Sequence, residues 1–297
     1  MNILVAGGGG FLGKFLISGL AKKGNNVTVI DIANCREAVE RVGCDFIEGD
    51  LSQQVAINLD KNFDIAIFLS QSPFYRQLPE RASHVMAVNV AGLTAFAEMA
   101  RGCSVKHLLY ASSGSIYKPS FLSISETSPI EPPNLYGLSK KMGEDLLEYF
   151  KGYFKITTLR YFGIYGPGQS GMLVPNLINR VWTGEPLTLE KSEFEDNEST
   201  GGFRTTPIYV TDVVEIMDEM ILKGINGSFN ISGPETLSIS QMAKIIGIAV
   251  GKEPIISVSD RIRTGDLIAD NTKMLSMYSS QLTDFATGIN KTVNNII

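Results

Sequence analysis

The glycine-rich stretch after the first apolar run constrains the fold of this chain more than any other feature. Gly7, Gly10 and Gly13 directly follow a run of aliphatic residues and precede a segment with helical periodicity. Glycine lets the backbone turn tightly and approach a pyrophosphate, whose charge then meets the free N–H groups of a helix N-terminus. The spacing differs from the commoner Gly-x-Gly-x-x-Gly, and a flexible turn is the alternative interpretation. The order of strand, glycines and helix favours a dinucleotide site.

Strand and helix patterns alternate along the first half of the chain. Apolar runs rich in β-branched residues, typical of strands with two buried faces, are separated by segments of helical period. Such alternation predicts a parallel sheet with helices on both faces. The predicted strands are Asn2–Ala6, Val27–Ile30, Asp45–Glu48, Asp64–Leu69, His107–Ser112 and Lys155–Arg160, and the predicted helices are Leu12–Lys23, Arg36–Val42, Pro79–Ala100 and Leu138–Phe150.

The alternation ends near Arg160, and the rest of the chain is less regular. We therefore predict an α/β protein, a doubly wound parallel sheet of the Rossmann type with a small C-terminal α+β cap that binds substrate. Residues 1–165 would form the nucleotide-binding domain, residues 205–232 would return to it, and residues 166–204 and 233–297 would form the cap. The later predicted elements are helices at Val174–Thr183, Thr211–Lys223, Ser238–Val250 and Thr283–Asn295, a strand at Ser228–Ser232 and a mobile polar loop at Lys191–Gly202.

Composition excludes several classes of protein. The chain of 297 residues has 26 Lys and Arg against 31 Asp and Glu and no long basic run, so nucleic acid and anionic membranes are not expected as partners. Its apolar runs are too short to span a bilayer, and its start lacks the pattern of a signal peptide. The three cysteines and two histidines lack metal-ligand spacing. We expect a cytoplasmic enzyme with reduced thiols and no metal.

Two carboxylates after predicted strands are candidate nucleotide ligands. Asp31 ends the second strand, where a carboxylate can accept both hydroxyls of the adenosine ribose and would repel a 2′-phosphate. NAD is therefore favoured over NADP as the cofactor. Arg36 nearby keeps NADP as a second possibility, and the alternative interpretation of Asp31 is a solvated residue at the end of a strand. Asp50, after the third strand, could accept from the adenine amino group or cap a helix.

A tyrosine and a lysine four residues apart form the candidate catalytic pair. Tyr136 and Lys140 would lie on one helix face with their β-carbons about 5–6 Å apart. A cation at that distance lowers the pKa of a phenol by about two, so Tyr136 could exchange a proton with a sugar or alcohol hydroxyl while a hydride moves. Ser113, at the end of a predicted strand, could bond the same oxygen. A surface tyrosine beside a solvated lysine is the alternative.

These residues and their neighbours resemble the extended short-chain dehydrogenase/reductase superfamily, in particular the NAD-dependent epimerase/dehydratase family typified by UDP-galactose 4-epimerase. The resemblance extends over nearly the whole chain and is specific for the superfamily. The segments that carry it are Gly7–Gly13, Asn89–Thr94, Ser113–Tyr117, Pro133–Lys140, Arg160–Gly168, Gly202–Asp212 and Arg263–Asp266.

The resemblance implies a role for each matching residue. Ser113, Tyr136 and Lys140 would be catalytic, and Ser113 and Tyr136 would contact the substrate. Arg204 and Arg263 would bind the substrate diphosphate. Asn89 would be a structural and proton-relay position. The residues implied to contact NAD are Gly7, Gly10, Phe11, Leu12, Asp31, Asp50, Leu51, Leu69, Ser70, Asn89, Tyr136, Lys140 and Tyr161.

Three segments depart from the family pattern. Gly163 replaces the usual asparagine that contacts the diphosphate, and Leu69–Ser72 replaces the usual His-x-Ala-Ala turn beside the nicotinamide. Lys191–Gly202 is a polar insertion. Dehydrating relatives carry an Asp-Glu pair after the catalytic serine or threonine, whereas Gly114 and Ser115 offer neither acid nor base, which disfavours dehydration.

The leading hypothesis is an NAD-dependent nucleotide-sugar 4-epimerase, expected as a homodimer, in which hydride leaves sugar C4 and returns to the other face. The alternative is a net oxidoreductase on the same fold, an NAD(P)-dependent reductase or dehydrogenase of a 4-keto sugar or other small hydroxy compound. A regulator that binds NAD without catalysis is disfavoured, because such relatives generally lose the Tyr/Lys pair. Glu126, in the loop before the tyrosine motif, is expected to be solvated.

Overall fold

A computed structural model of the chain describes residues 1–53, 59, 61–192 and 201–294. Its first half alternates strands and helices as the sequence predicts. The elements there are β1 (Asn2–Ala6), α1 (Phe11–Lys22), β2 (Asn26–Asp31), α2 (Arg36–Glu40), β3 (Asp45–Glu48), β4 (Ile65–Phe68), α3 (Ala82–Met86), α4 (Leu93–Gly102), β5 (His107–Ser113), α5 (Leu135–Glu148) and β6 (Lys155–Tyr161). The second half contains β7 (Ile164–Tyr165), α6 (Leu173–Thr183), β8 (Leu187–Ser192), β9 (Arg204–Thr205), β10 (Ile208–Tyr209), α7 (Val210–Lys223), β11 (Gly227–Ile231), β12 (Leu237–Ser238), α8 (Ile239–Val250), β13 (Ile256–Arg263), α9 (Thr272–Leu275) and α10 (Phe285–Val293).

Seven strands form the main sheet in the order β11-β6-β5-β4-β1-β2-β3. β1 pairs in parallel with both β2 and β4, and the pairs β2–β3 and β4–β5 are parallel as well. The strand order reverses between β1 and β4, so the connections after these two strands leave in opposite directions. Open α/β sheets bind ligands in the crevice that results at the carboxyl ends of such strands. The predicted doubly wound parallel sheet is confirmed.

The chain divides into two compact units, each with its own apolar core. In the first unit the sheet packs on α4 and α5 through large residues such as Phe68, Phe96 and Tyr110. In the second unit α6, α8 and α10 contribute to a core around Tyr165 and Phe285. The first unit comprises Met1–Tyr117, Ile130–Arg160 and Val214–Phe229, and the second comprises Lys118–Pro129, Tyr161–Val213 and Asn230–Ile297. No helix in the described ranges has the length and apolar character needed to cross a membrane.

Two predicted segments differ in the structure. The helix predicted over Pro79–Ala100 begins at α3 and passes through a π-helical turn, Ala87–Gly92, before α4. The sequence also gives no sign of β8 and β13, which pair with each other in parallel. β13 is largely exposed and lacks the apolar run of a buried strand. Within the loop predicted at Lys191–Gly202, Lys191 and Ser192 instead end β8, and residues 193–200 lie outside the described residues.

His107 is a buried polar residue at the start of β5. Its Nε2 lies 2.6 Å from the Thr157 hydroxyl oxygen, and its Nδ1 has no hydrogen-bond partner among the residues described. Burial lowers the pKa of His107 to about 4, and the nearby charge of Lys155 adds to this. The imidazole is therefore neutral in the folded protein at pH 7.

We expect His107 to make stability fall as the pH drops from about 6.5 to about 4. Over this window the unfolded chain protonates the residue at its ordinary pKa while the folded protein does not. At about 1.4 kcal/mol per pH unit, the loss approaches about 3 kcal/mol. In His107→Leu the difference between urea unfolding free energies at pH 7 and pH 4 should be smaller by about that amount. The same pH dependence in both proteins would contradict this account.

Candidate active site

In the loop between β1 and α1, only glycine fits at the positions where the backbone makes its closest contacts. Gly7 has a φ of +84°, and a Cβ there would lie 2.7 Å from the backbone nitrogen of Ser70, just after β4. A Cβ on Gly13 would lie 2.3 Å from the carbonyl oxygen of Gly7. Gly10 is the N-cap of α1, and no side chain caps this terminus. The first N–H groups of α1 and the closely approached loop therefore fit a pyrophosphate.

Asp31, at the end of β2, is fixed beside this loop. Its Oδ2 accepts from the backbone N–H of Gly9 at 2.8 Å, and its Oδ1 accepts from that of Ile32 at 2.8 Å. The carboxylate is thus anchored rather than simply solvated. Each carboxylate oxygen can accept more than one hydrogen bond, so a ribose diol can still bind. The residues fit the adenosine ribose of a dinucleotide.

Arg36, the residue that could bind the 2′-phosphate of NADP, has other partners. Its guanidinium lies 3.3 Å from a carboxylate oxygen of Glu40 and 3.4 Å from one of Glu48. It also lies 4.5 Å above the centre of the Phe46 ring. The two carboxylates compete for the guanidinium and would repel a phosphate. This arrangement favours NAD over NADP.

Asp50 caps the turn after β3. Its Oδ1 accepts from the backbone N–H of Ser52 at 2.8 Å, and its Oδ2 accepts from the Gln53 side chain at 3.3 Å. The hydrogen bonds from Ser52 are the main cause that lowers the pKa of Asp50. Leu51, the next implied NAD contact, is partly buried against the core of the first unit. Asp50 thus caps a turn rather than a helix among the described residues, and its contact with adenine stays a prediction.

Ser113, Tyr136 and Lys140 come together at the carboxyl end of β5. The Asn134 side chain caps α5 by accepting a backbone N–H of its first turn at 2.9 Å. Tyr136 and Lys140 therefore occupy the first two turns, and Ser113 is close enough to the phenol to lower its pKa. Lys140 is 2% exposed, and its Nζ donates to the carbonyl oxygen of Ala111 at 2.9 Å. The alternative of a solvated lysine is wrong.

Burial controls the protonation of the pair. It raises the pKa of Tyr136 to about 12, although the hydrogen bond with Ser113 lowers it. It lowers the pKa of Lys140 to about 7. The expectation of a lowered phenol pKa is therefore wrong for the protein without its cofactor, because burial is the largest influence on Tyr136. The positive ring of a bound nicotinamide would oppose the effect of burial.

Asn89 connects the turn after β4 with the first turn of α5. It is fully buried in the π-helical turn, where its Oδ1 accepts from the backbone N–H of Ser72 at 3.1 Å. Its Nδ2 donates to the Ser139 hydroxyl at 3.0 Å, and that hydroxyl donates to the carbonyl oxygen of Tyr136 at 2.7 Å. π-Helical turns often occur at functional sites. Asn89 fixes the spacing between these two backbone segments, a structural role.

Sequence reasoning missed two residues beside the Tyr136 hydroxyl. The phenol donates to Oε1 of Gln71 at 3.1 Å. The ring of Tyr75 packs on that of Tyr136 with 5.1 Å between the centroids. The unusual sequence of Leu69–Ser72 is a signal that could have identified Gln71. No spacing rule connects Tyr75 with a helix that begins sixty residues later.

In the second unit, Arg204 and Arg263 share one buried carboxylate. Nε of Arg204 lies 2.7 Å from Oδ2 of Asp266, and Nε of Arg263 lies 3.0 Å from Oδ1. Two guanidinium groups thus flank one carboxylate, and guanidinium groups suit an anionic ligand. Tyr161 also belongs to this unit, and burial raises its pKa. The contacts of Tyr161 with NAD and of the arginines with a diphosphate stay predictions.

Glu126 is a structural residue. Its Oε1 accepts from the backbone N–H of Asn230 at 2.8 Å, and the Asn230 side chain donates to the carbonyl oxygen of Ile124 at 2.8 Å. The expectation of a solvated loop acid is wrong, because the carboxylate satisfies a backbone donor near the end of β11.

Comparison with known proteins agrees with this geometry. A family model described as the NAD dependent epimerase/dehydratase family matches residues 3–232. This chain belongs to that family. The membership confirms the predicted cofactor, NAD, and the predicted enzyme class.

Similar proteins of this epimerase family match most of the chain. A Bacillus subtilis protein named the uncharacterized UDP-glucose epimerase YtcB is 28% identical over 88% of this chain and 86% of its own length. The UDP-glucose 4-epimerase of Lactobacillus helveticus is 26% identical over 92% and 89%. The crystal structure of the Thermus thermophilus UDP-glucose 4-epimerase complex with NAD superposes with a TM-score of 0.82 at 26% identity, covering 99% of this chain and 98% of that one.

We expect Lys140→Met to stabilise this epimerase-family protein in its cofactor-free form at pH 8. The unfolded chain keeps the lysine protonated up to its ordinary pKa of 10.5, whereas the pKa in the folded protein is about 7. Folding at pH 8 therefore releases a proton at a cost that methionine avoids. At about 1.4 kcal/mol for each pH unit between 8 and 10.5, that cost approaches about 3 kcal/mol.

Urea unfolding at pH 8 measures this effect. Lys141→Met is the matched control, since Lys141 is the next residue and forms a surface ion pair with Asp145; it should change stability little. Between pH 7 and 10.5 the unfolding free energy of the wild-type protein should rise relative to that of Lys140→Met. A lower unfolding free energy in Lys140→Met than in the wild type would contradict the account.

Proposed function

We propose that this protein is a nucleotide-sugar 4-epimerase that works by transient hydride transfer with NAD. The observation that carries the proposal is the arrangement of Ser113, Tyr136 and Lys140 at the same sheet edge as the glycine loop. It supplies a proton acceptor, a hydrogen-bonding hydroxyl and a potential cation next to a dinucleotide cradle. The similarity to UDP-glucose 4-epimerases of Lactobacillus helveticus and Thermus thermophilus supports a sugar nucleotide as the substrate.

NAD would be held chiefly by the first unit. The N-terminus of α1 would bind the pyrophosphate, Asp31 the adenosine ribose and Lys140 the nicotinamide ribose. When bound, NAD supplies a reversible acceptor for a hydride. The proposed contacts are Gly7, Gly10, Phe11, Leu12, Asp31, Asp50, Leu51, Leu69, Ser70, Asn89, Tyr136, Lys140 and Tyr161.

Tyr136 is the proposed proton acceptor for the hydroxyl at sugar C4. Ser113 would hydrogen-bond the same oxygen and keep it in line with the phenol. Lys140, once it carries its charge, would stabilise the phenolate that must form before the proton is taken. After the sugar has turned, Tyr136 would return the proton to the oxygen, so that the enzyme ends each cycle unchanged.

Arg204 and Arg263 are the proposed ligands of the substrate diphosphate. Their shared carboxylate, Asp266, keeps both side chains extended and close together. Charge-assisted hydrogen bonds from arginine are among the strongest that a phosphate can accept. A net reductase of a 4-keto sugar is the second candidate. It is favoured by Gly163, which has a φ of +109° and no side chain to contact a diphosphate.

We also propose that the protein is a cytoplasmic homodimer. Leu138 and Met142, one turn apart on α5, are 42% and 40% exposed and would be covered by a second copy. All three cysteines are free, which fits a reducing compartment.

Replacing Tyr136 by Phe tests the proposed chemistry. The variant keeps the ring that packs on Tyr75, so NAD should still bind. Interconversion of UDP-glucose and UDP-galactose should fall by about 10²–10⁴-fold, the usual contribution of a general acid–base group. Tyr149→Phe is the matched control, because Tyr149 follows the same helix and is 85% exposed. Full activity in Tyr136→Phe would defeat both the epimerase and the reductase proposals.

Cofactor choice forms a second test. We expect calorimetric titration to show tighter binding of NAD than of NADP, because the anchored Asp31 carboxylate and the Glu40 and Glu48 charges oppose a 2′-phosphate. Arg36→Ala should leave the preference for NAD in place. If NADP binds more tightly in the wild type and loses that advantage in Arg36→Ala, the assignment is wrong.

A further inference from the structure

We propose that Gln71 is a positioning residue for the proton transfer, because its side-chain amide can pair with the Tyr136 hydroxyl in both of its protonation states. The inference rests on the proposed role of Tyr136 and deepens it. The contact is direct: the phenol oxygen of Tyr136 donates to Oε1 of Gln71 at 3.1 Å. Gln71 is half-buried, which limits the access of water that would compete with the amide for the Tyr136 hydroxyl.

The backbone on both sides of this contact is fixed by the buried Asn89. Ser72, the residue after Gln71, donates its backbone N–H to Asn89. On the other side Asn89 donates to Ser139, which donates to the carbonyl oxygen of Tyr136 itself. The backbone segments that carry the amide and the phenol are therefore held together by a chain of hydrogen bonds that does not involve either side chain. Such support from neighbouring groups is what keeps a reacting atom in place.

The amide group is suited to a phenol that loses and regains a proton. Its oxygen accepts from the neutral hydroxyl, as observed, and rotation about the last bond of the side chain presents its NH₂ to a phenolate. A carboxylate could only accept and would repel the phenolate. A methionine would neither donate a hydrogen bond to the phenolate nor repel it. Gln71 thus lowers the cost of forming the phenolate without adding a charge.

The other groups around Tyr136 within the first unit give the phenolate little support. Ser113 offers one hydroxyl, and the phenol of Tyr75 raises rather than lowers the pKa of Tyr136. Lys140 also belongs to the first unit, four residues from Tyr136 on α5, and burial lowers its pKa to about 7. A neutral N–H donor at position 71 therefore adds a hydrogen bond to the Tyr136 phenolate, which the surrounding groups stabilise poorly.

The test compares Gln71→Met and Gln71→Glu with the wild type as NAD-bound proteins. Gln77→Met and Gln77→Glu are matched controls, since Gln77 is an exposed residue of the same loop. Tyrosine labelled with ¹³C at Cζ reports the state of the phenol by NMR, and Tyr136→Phe identifies the resonance. The midpoint of its titration should rise in the order wild type, Gln71→Met, Gln71→Glu. The last should be at least about one pH unit above the wild type, because a facing carboxylate disfavours the phenolate.

Epimerase rates supply the second readout. Below the midpoint, Gln71→Glu should be slower by at least about tenfold, since each pH unit changes the phenolate fraction tenfold. Its rate should recover at higher pH, whereas a purely structural defect would lower the rate equally at every pH. Any other order of midpoints overturns the proposal. If the phenol stays protonated over the whole pH range, an unchanged Cζ resonance in Gln71→Met also overturns the proposal. Absence of epimerase activity in the wild type would refute the proposed function, while the NMR comparison still decides the role of Gln71.

Discussion

The close backbone contact between the ends of β1 and β4 is the constraint on which the first unit depends. The loop after β1 passes so near Ser70 that a single methyl group on Gly7 would overlap its backbone nitrogen. This approach is possible because the strand order reverses there and the two connections leave in opposite directions. The same edge of the sheet carries Asp31 at the end of β2 and Ser113 at the end of β5. Cofactor cradle and proton-transfer residues therefore share one rigid frame.

The chemistry of the site depends on groups that burial makes costly. Burial disfavours the charged forms of both groups, which gives the phenol a pKa of about 12 and the lysine a pKa of about 7. The helix that carries them is anchored nearby, where Glu144 pairs with Arg160 at 2.7 Å inside the first unit. A bound cofactor that carries a positive ring would shift the phenol toward ionisation. Reactivity would then appear only once NAD is in place, which protects the resting protein from unproductive proton transfer.

Much of the fold could be predicted from the sequence, because its determinants are local. Runs of β-branched residues and helical periods located the first six strands, and the glycine loop identified the nucleotide end of the sheet. The exposed β13 escaped prediction because it has no buried apolar run. The π-helical turn that holds Asn89 has no periodic signature of its own.

The site was harder to predict, because its residues meet only through tertiary packing. Tyr136 and Lys140 could be paired by their spacing on one helix, but their pKa values follow from burial, which spacing does not reveal. Glu126 looked like a solvated acid until the backbone of Asn230 was found against it. Gln71 reaches the phenol from a turn that precedes α5 by more than sixty residues in sequence.

The most direct test of the central claim, that hydride leaves the sugar and returns to the same carbon, is to follow a deuterium atom at C4 of UDP-glucose. The account predicts that UDP-galactose forms with the deuterium still at C4 and without net reduction of NAD. Loss of deuterium to solvent, or conversion of NAD in proportion to the sugar consumed, would contradict it.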